Sequence, residues 1–304
     1  MYTMTPTDRR NINLADKAFK SGDRVTALKY YLKAAENGND DAMVDCGRIY
    51  FEGTFGVEKD IDKALEWFHK AGELGNSAAL NNIGYIYSTL KNNKEALIWY
   101  EKAANLGDVV SMLNLSNSYR RDFNNKKKAR EWLKKAESLT DTYSIRKVAD
   151  YYFQEDVIKT HVDKAVLLYK KAIKLGDTQA YKELGDLFFQ IDEYEDAHFY
   201  YQKGATVGNV DCMVNLGMML LCAPNCFAPS YYWLTKAVKM GDTYAMKVLC
   251  DLYEMYGNYA KALRWCRKAA LAGEREAIDF LPTIKKRLKK HKPDYKLRLR
   301  NLAD

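Results

Sequence analysis

Proline is scarce in this 304-residue chain, with five copies at positions 6, 224, 229, 282 and 293, so long stretches carry nothing that would break a helix. No run approaches the ~20 apolar residues that a membrane span needs, and the opening MYTMTPTDRRN has no apolar segment of the kind a secretory signal requires. Histidine occurs only at positions 69, 161, 198 and 291, scattered through the chain. Of the six cysteines, Cys46, Cys212, Cys222, Cys226, Cys250 and Cys266, only Cys222 and Cys226 lie close together, and no histidine stands near them. That spacing makes no zinc ligand set, and the cysteines read as small core residues. There is also no glycine-rich phosphate loop, no H-E-x-x-H and no nucleophile elbow. The expectation is a non-catalytic protein without cofactor or metal.

What is present is a repeat. With Gly75 as a marker, equivalent positions fall at Gly38, Gly107, Thr140, Gly176, Gly208, Gly241 and Gly273, spaced 32 to 37 residues apart. A period of this size with helical patterning inside it marks an array of helix pairs. Small residues recur in fixed columns. They stand four positions after the marker (Ala42, Ala79, Ser111, Ser144, Ala180, Cys212, Ala245, Ala277) and nine after it (Gly47, Gly84, Ser116, Ala149, Gly185, Gly217, Cys250). Two further columns lie eleven and four positions before it, for instance Ala64 and Ala71. Such columns belong where helices cross too closely for longer side chains. All five tryptophans, Trp67, Trp99, Trp132, Trp233 and Trp265, sit eight positions before a marker, and that strict phase predicts inter-helix core.

The stretch Gly56-Val57-x-x-Asp60-x-x-Lys63-Ala64-x-x-Trp67-Phe68-x-Lys70-Ala71, preceded by Ala42 and Gly47-x-x-Tyr50, resembles the Sel-one-like repeat, a branch of the tetratricopeptide superfamily. The resemblance covers about residues 11–280. It implies an all-α, right-handed superhelical solenoid of about eight antiparallel helix pairs with a concave binding groove, in the manner of adaptors and scaffolds. Units are expected near 11–38, 41–75, 78–107, 110–140, 143–176, 179–208, 211–241 and 244–273, with a capping helix from 276. Residues 1–10 are expected to fray and 282–304 to form a basic tail. Secreted branches of the family carry one regularly spaced disulfide per unit, which this chain lacks. That favours a reducing, cytoplasmic location, or a nuclear one in a eukaryotic host.

Where the resemblance holds, the first helix of each unit lines the groove. Its candidate partner-binding residues are Arg48, Phe51, Asn81, Asn82, Tyr85, Asn114, Asn117, Arg120, Arg146, Asp150, Phe153, Lys182, Asp186 and Phe189. The asparagines either hold an extended peptide by its backbone or bond within the array. Residues 285–304 carry nine Lys/Arg, among them Lys285, Lys286, Arg287, Lys289, Lys290 and Lys292, against two Asp, while residues 1–284 sum to only +1. The tail reads as a solubilising final helix, an electrostatic contact for nucleic acid or an acidic partner, or a nuclear-import signal. The expected function is a monomeric scaffold binding an extended segment or a helix of another protein. Alternatives are nucleic-acid association through the tail, or an immunity or inhibitor protein that occludes a toxin.

Overall fold

The computed structural model describes residues 4–20, 22–53, 56–155, 159–221 and 226–291. The chain is all-α, with no β-strand among the described residues. The helices are α1 (Pro6–Lys20), α2 (Arg24–Glu36), α3 (Asp40–Glu52), α4 (Ile61–Glu73), α5 (Ser77–Thr89), α6 (Asn93–Asn105), α7 (Val109–Arg121), α8 (Lys126–Glu137) and α9 (Thr142–Glu155). They continue with α10 (Lys159–Lys174), α11 (Gln179–Gln190), α12 (Tyr194–Thr206), α13 (Val210–Leu221), α14 (Phe227–Lys239), α15 (Tyr244–Met255), α16 (Tyr259–Leu271) and α17 (Arg275–Lys290). Within residues 1–168 the helices pack as the pairs α1/α2, α3/α4, α5/α6 and α7/α8, and within residues 169–304 as α11/α12, α13/α14 and α15/α16, each pair stacking on its neighbour, which is a solenoid arrangement. Two compact units result, Met1–Leu168 and Tyr169–Asp304, and the division falls inside α10.

The marker glycines end the second helix of a pair. Gly75 and Gly107 adopt φ +90° and +92°, a left-handed conformation that side chains resist. The next residue but one then starts a new helix, capped by the residue between: Asn76 accepts from Ala79 N at 3.0 Å and Asp108 from Ser111 N at 2.7 Å. Glycine followed by Asn or Asp is thus the punctuation of the array.

The four small-residue columns are buried, as expected. The cause of the column nine positions after the marker lies one residue beyond the tryptophans. Tyr31, Phe68, Tyr100, Tyr169 and Tyr201, seven positions before their markers, are almost fully enclosed. A Cβ placed on Gly47, Gly84 or Gly185 would meet the Phe68, Tyr100 or Tyr201 ring at 2.7, 2.6 or 2.5 Å. At these three glycines the column is therefore the seat of an aromatic from the paired helix, and at Gly217 that of Leu234. The tryptophans themselves are only half-buried, and each carries a lysine ammonium over its ring. Lys70, Lys102, Lys135, Lys236 and Lys268 stand 4.4, 3.7, 3.9, 5.1 and 4.5 Å from the ring centres. Each pair contributes about 0.5–1 kcal/mol.

The N-terminal end differs from expectation. The first helix starts at Pro6, inside the stretch expected to fray. Thr5 caps it reciprocally with Asp8, whose carboxylate accepts from Thr5 N at 3.1 Å, Thr5 Oγ1 at 2.6 Å and Asn37 Nδ2 at 2.7 Å and is fully buried. At the other end α17 runs through Pro282 to Lys290, because Ile284 is buried against the last pair and Phe280, Leu281 and Leu288 pack beside it. Burial of that stripe outweighs the backbone hydrogen bond that proline removes.

Candidate functional site

In the first unit the candidate residues lie on α3, α5, α7 and α9. Phe51 meets Tyr85 edge to face with ring centres 5.8 Å apart, and Lys59 stands 5.0 Å over Phe51. Tyr85 remains 51% exposed. Arg48 pairs with Asp45 at 2.8 Å and covers the Phe19 ring at 4.9 Å. Burial pushes the Asp45 carboxyl up to about 6, against the opposing pull of Arg48.

The asparagines are engaged within the array. Asn81 Oδ1 accepts from Ser111 Oγ and from Asn114 Nδ2, both at 2.9 Å, which ties α5 to α7. Asn117 accepts from Arg120 at 3.3 Å, and Lys147 bridges to Asp150 at 2.8 Å. Arg146 lies 5.7 Å from the Tyr143 ring centre. Asn82 and Phe153 are half-buried on the same helices. A repeated polar residue between stacked helices serves first to bond the next repeat.

In the second unit Asp186 is a hub. Its carboxylate accepts from Tyr201 Oη at 2.6 Å and Asn215 Nδ2 at 3.1 Å, and pairs with Lys182 at 2.7 Å. Burial and this bond push the Tyr201 hydroxyl far up, and Lys182 is held above its ordinary value by Asp186 although burial opposes its charge. Around the hub lies a cleft of 370 Å³ lined by Phe189, Tyr201, Asn215, Met218 and Met219. Phe189 and Met218 are 46% and 38% exposed at its edge.

Of the basic residues assigned to the tail, Lys285, Lys286, Arg287, Lys289 and Lys290 are exposed on helix α17, and Arg287 pairs with Glu254 of α15. Lys292 lies outside the described residues, as does residues 222–225 of the proline-stiffened Cys222–Pro229 turn.

Sequence reasoning missed a second cationic feature. A cleft of 640 Å³ opens among α7, α8, α9 and the start of α10, lined by Ser116, Arg120, Lys126, Ala129, Arg130, Leu133, Tyr151, Tyr152 and His161. Leu133 occupies the column that is aromatic in five other pairs, and a smaller side chain leaves space there. Tyr151 and Ser116 share a buried hydrogen bond at 3.0 Å. Tyr152 donates to Glu137 at 2.5 Å, and burial followed by that bond pushes its hydroxyl up to about 12. The Nδ1 atom of His161 is buried without a hydrogen-bond partner. Leu133 in an aromatic column was the available signal.

No helix among the described residues is long and apolar enough to cross a membrane, and no group of three potential metal ligands occurs among them. None of the curated proteins matches the chain. Among solved structures, c5321 of uropathogenic Escherichia coli, a protective antigen displaying an SLR fold, is 23% identical over 97% of this chain and 79% of its own, with a TM-score of 0.38. Immunity protein Pa5087 of Pseudomonas aeruginosa is 21% identical over 69% of this chain and 84% of its own, at 0.49. Yeast Tom70 is 14% identical over 95% of this chain and 66% of its own, at 0.62. At these identities the likeness concerns the fold alone. The Sel1 repeat family model matches residues 17–39, 40–76, 77–108, 110–141, 143–177, 230–242 and 250–274. With its pairs, glycine punctuation and small-residue columns in that register, the chain belongs to the Sel1 repeat family.

Proposed function

We propose that the protein is a monomeric, non-catalytic adaptor that binds a segment of another protein along the face formed by the first helices of its pairs. Repeats of this family generally mediate protein–protein interaction. The observation that carries the reading is the exposure of Tyr85 in the first unit and of Phe189 in the second, each among polar groups that already bond one another. Aromatic anchors on a scaffold that needs no reordering are what a binding surface requires, since little entropy is lost on docking.

The test is capture from the native host, followed by mass spectrometry, with wild-type protein and the Phe51→Ala/Tyr85→Ala variant. Loss of a discrete protein from the variant supports the reading. Equal recovery of every captured protein by both forms removes it.

A second reading is favoured by α17, whose buried stripe leaves five basic side chains outward. That helix suits an anionic partner. If capture depends on nucleic acid, nuclease treatment abolishes it and this reading replaces the first.

A further inference from the structure

The charge of the chain hides a local concentration. Residues 120–130, RRDFNNKKKAR, hold six Lys/Arg and a single acid, although residues 1–284 are almost neutral. Three of the six, Lys126, Lys127 and Lys128, open helix α8, where the aligned peptide dipoles disfavour positive charge. Of the other second helices, α4, α6 and α12 carry Asp or Glu in the first turn, at Asp62, Glu95 and Glu195–Asp196. Three successive lysines at a helix start beside a cleft point to a use other than stability.

Lys126 and Arg130 line that cleft and have no acidic partner among the described residues. Arg120 enters from α7, and the hydroxyl pair of Ser116 and Tyr151 and the unpartnered Nδ1 of His161 supply polar groups below. Leu133 and the Tyr151 and Tyr152 rings give the walls an apolar part. Lys126 and Arg130 at the mouth of a partly apolar recess, with Arg120 bonded to Asn117 beside them, match an oxyanion carried on a short stem.

We propose that this cleft recognises an anionic side chain, carboxylate or phosphoryl, of a protein segment. The inference rests on the reading of the chain as a protein-binding adaptor and assigns chemistry to one part of the partner. Lys126 and Arg130 supply charge at the mouth, and His161 and Ser116 fix the depth to which the group enters.

The test measures fluorescence anisotropy of full-length protein with three fluorescein-labelled octapeptides that carry a central triple glutamate, a phosphoserine or an unmodified serine. Both anionic peptides, or one of them, are expected to bind more tightly than the serine peptide, and the stronger names the source of the oxyanion. Binding should weaken between about 50 and 300 mM NaCl, as screening requires. The variant Lys126→Glu/Arg130→Glu should lose about tenfold or more in affinity, while Lys91→Glu/Lys94→Glu at the α5–α6 turn stays within about twofold. Because acidic residues suit a helix start, the first variant should melt no lower than wild type, which separates lost binding from lost folding.

Equal binding of the three peptides, or equal loss in both charge-reversed variants, overturns the proposal. A labelled oligonucleotide that binds more tightly than both anionic peptides, and is lost with Lys126→Glu/Arg130→Glu, overturns the assignment to a protein segment. If the Phe51→Ala/Tyr85→Ala variant loses its captured partner while the cleft variant binds peptides normally, the adaptor reading stands and the cleft falls. If the peptides behave as expected while that aromatic variant keeps its partner, the cleft stands and the groove does not.

Discussion

Tyr100 of α6 lies so close to Gly84 of α5 that a Cβ added there would sit 2.6 Å from its ring. The same relation joins Phe68 to Gly47 and Tyr201 to Gly185. One contact, repeated, sets how near the two helices of a pair approach.

The first prediction is Gly84→Ala. Helix propensity alone would favour alanine by about 1 kcal/mol. The clash with a ring enclosed on all sides costs about 1–3 kcal/mol, so the variant should melt below wild type. Adding Tyr100→Ala, which removes the ring that the new Cβ would meet, should make the glycine replacement less damaging. Additive losses in calorimetry would show that the ring is not the obstacle.

The second concerns the N-terminus. Asp8→Ala removes the acceptor shared by Thr5 and Asn37 and leaves their donors without it. A loss of about 1–3 kcal/mol is expected, read as faster amide exchange in α1 and α2. Unchanged exchange would mean that α1 is not held by this cap.

The third is a pH dependence. The Asp45 carboxyl, raised to about 6 in the folded chain, binds protons more readily than in the unfolded chain. Its contribution to stability is therefore full below the ordinary carboxylate value of about 4 and is lost as pH rises through 6. Asp45→Asn should match wild type near pH 4 and exceed it by about 1 kcal/mol at pH 7.5, the lost Arg48 pair offsetting part of the gain. Melting curves at the two pH values decide; a variant less stable at pH 7.5 would reverse the sign.

The fourth is Pro282→Ala. Restoring the missing N–H inside α17 gains about 3 kcal/mol, and the freer unfolded chain takes back about 1. The net expectation is a higher melting temperature and slower amide exchange over residues 283–290. No change in that exchange would indicate that α17 does not persist past the proline.

Much of the fold was legible because repetition writes the same physical constraint many times. Eight copies of a marker and four small-residue columns made the helix pairs and their register visible, and the Sel1 repeat match falls in that register. The column of Phe68, Tyr100 and Tyr201 went unread because tryptophan, one residue earlier, dominates the pattern. Only packing shows that tyrosine goes inside while tryptophan lies half-exposed under lysine.

The candidate surface divided differently. The sequence by itself determined which candidate residues fall on the first helices of the pairs, since helical phase and period suffice for that. Tertiary structure decided what those residues have left to offer: Asn81 and Asn114 are joined to each other across α5 and α7, whereas Tyr85 and Phe189 stay exposed. It also decided that Arg120 of α7 shares a cleft with Arg130 of α8 and His161 of α10. Their hydrogen bonds and shared space depend on side chains from separate repeats meeting in three dimensions, and no periodicity along one chain encodes that meeting.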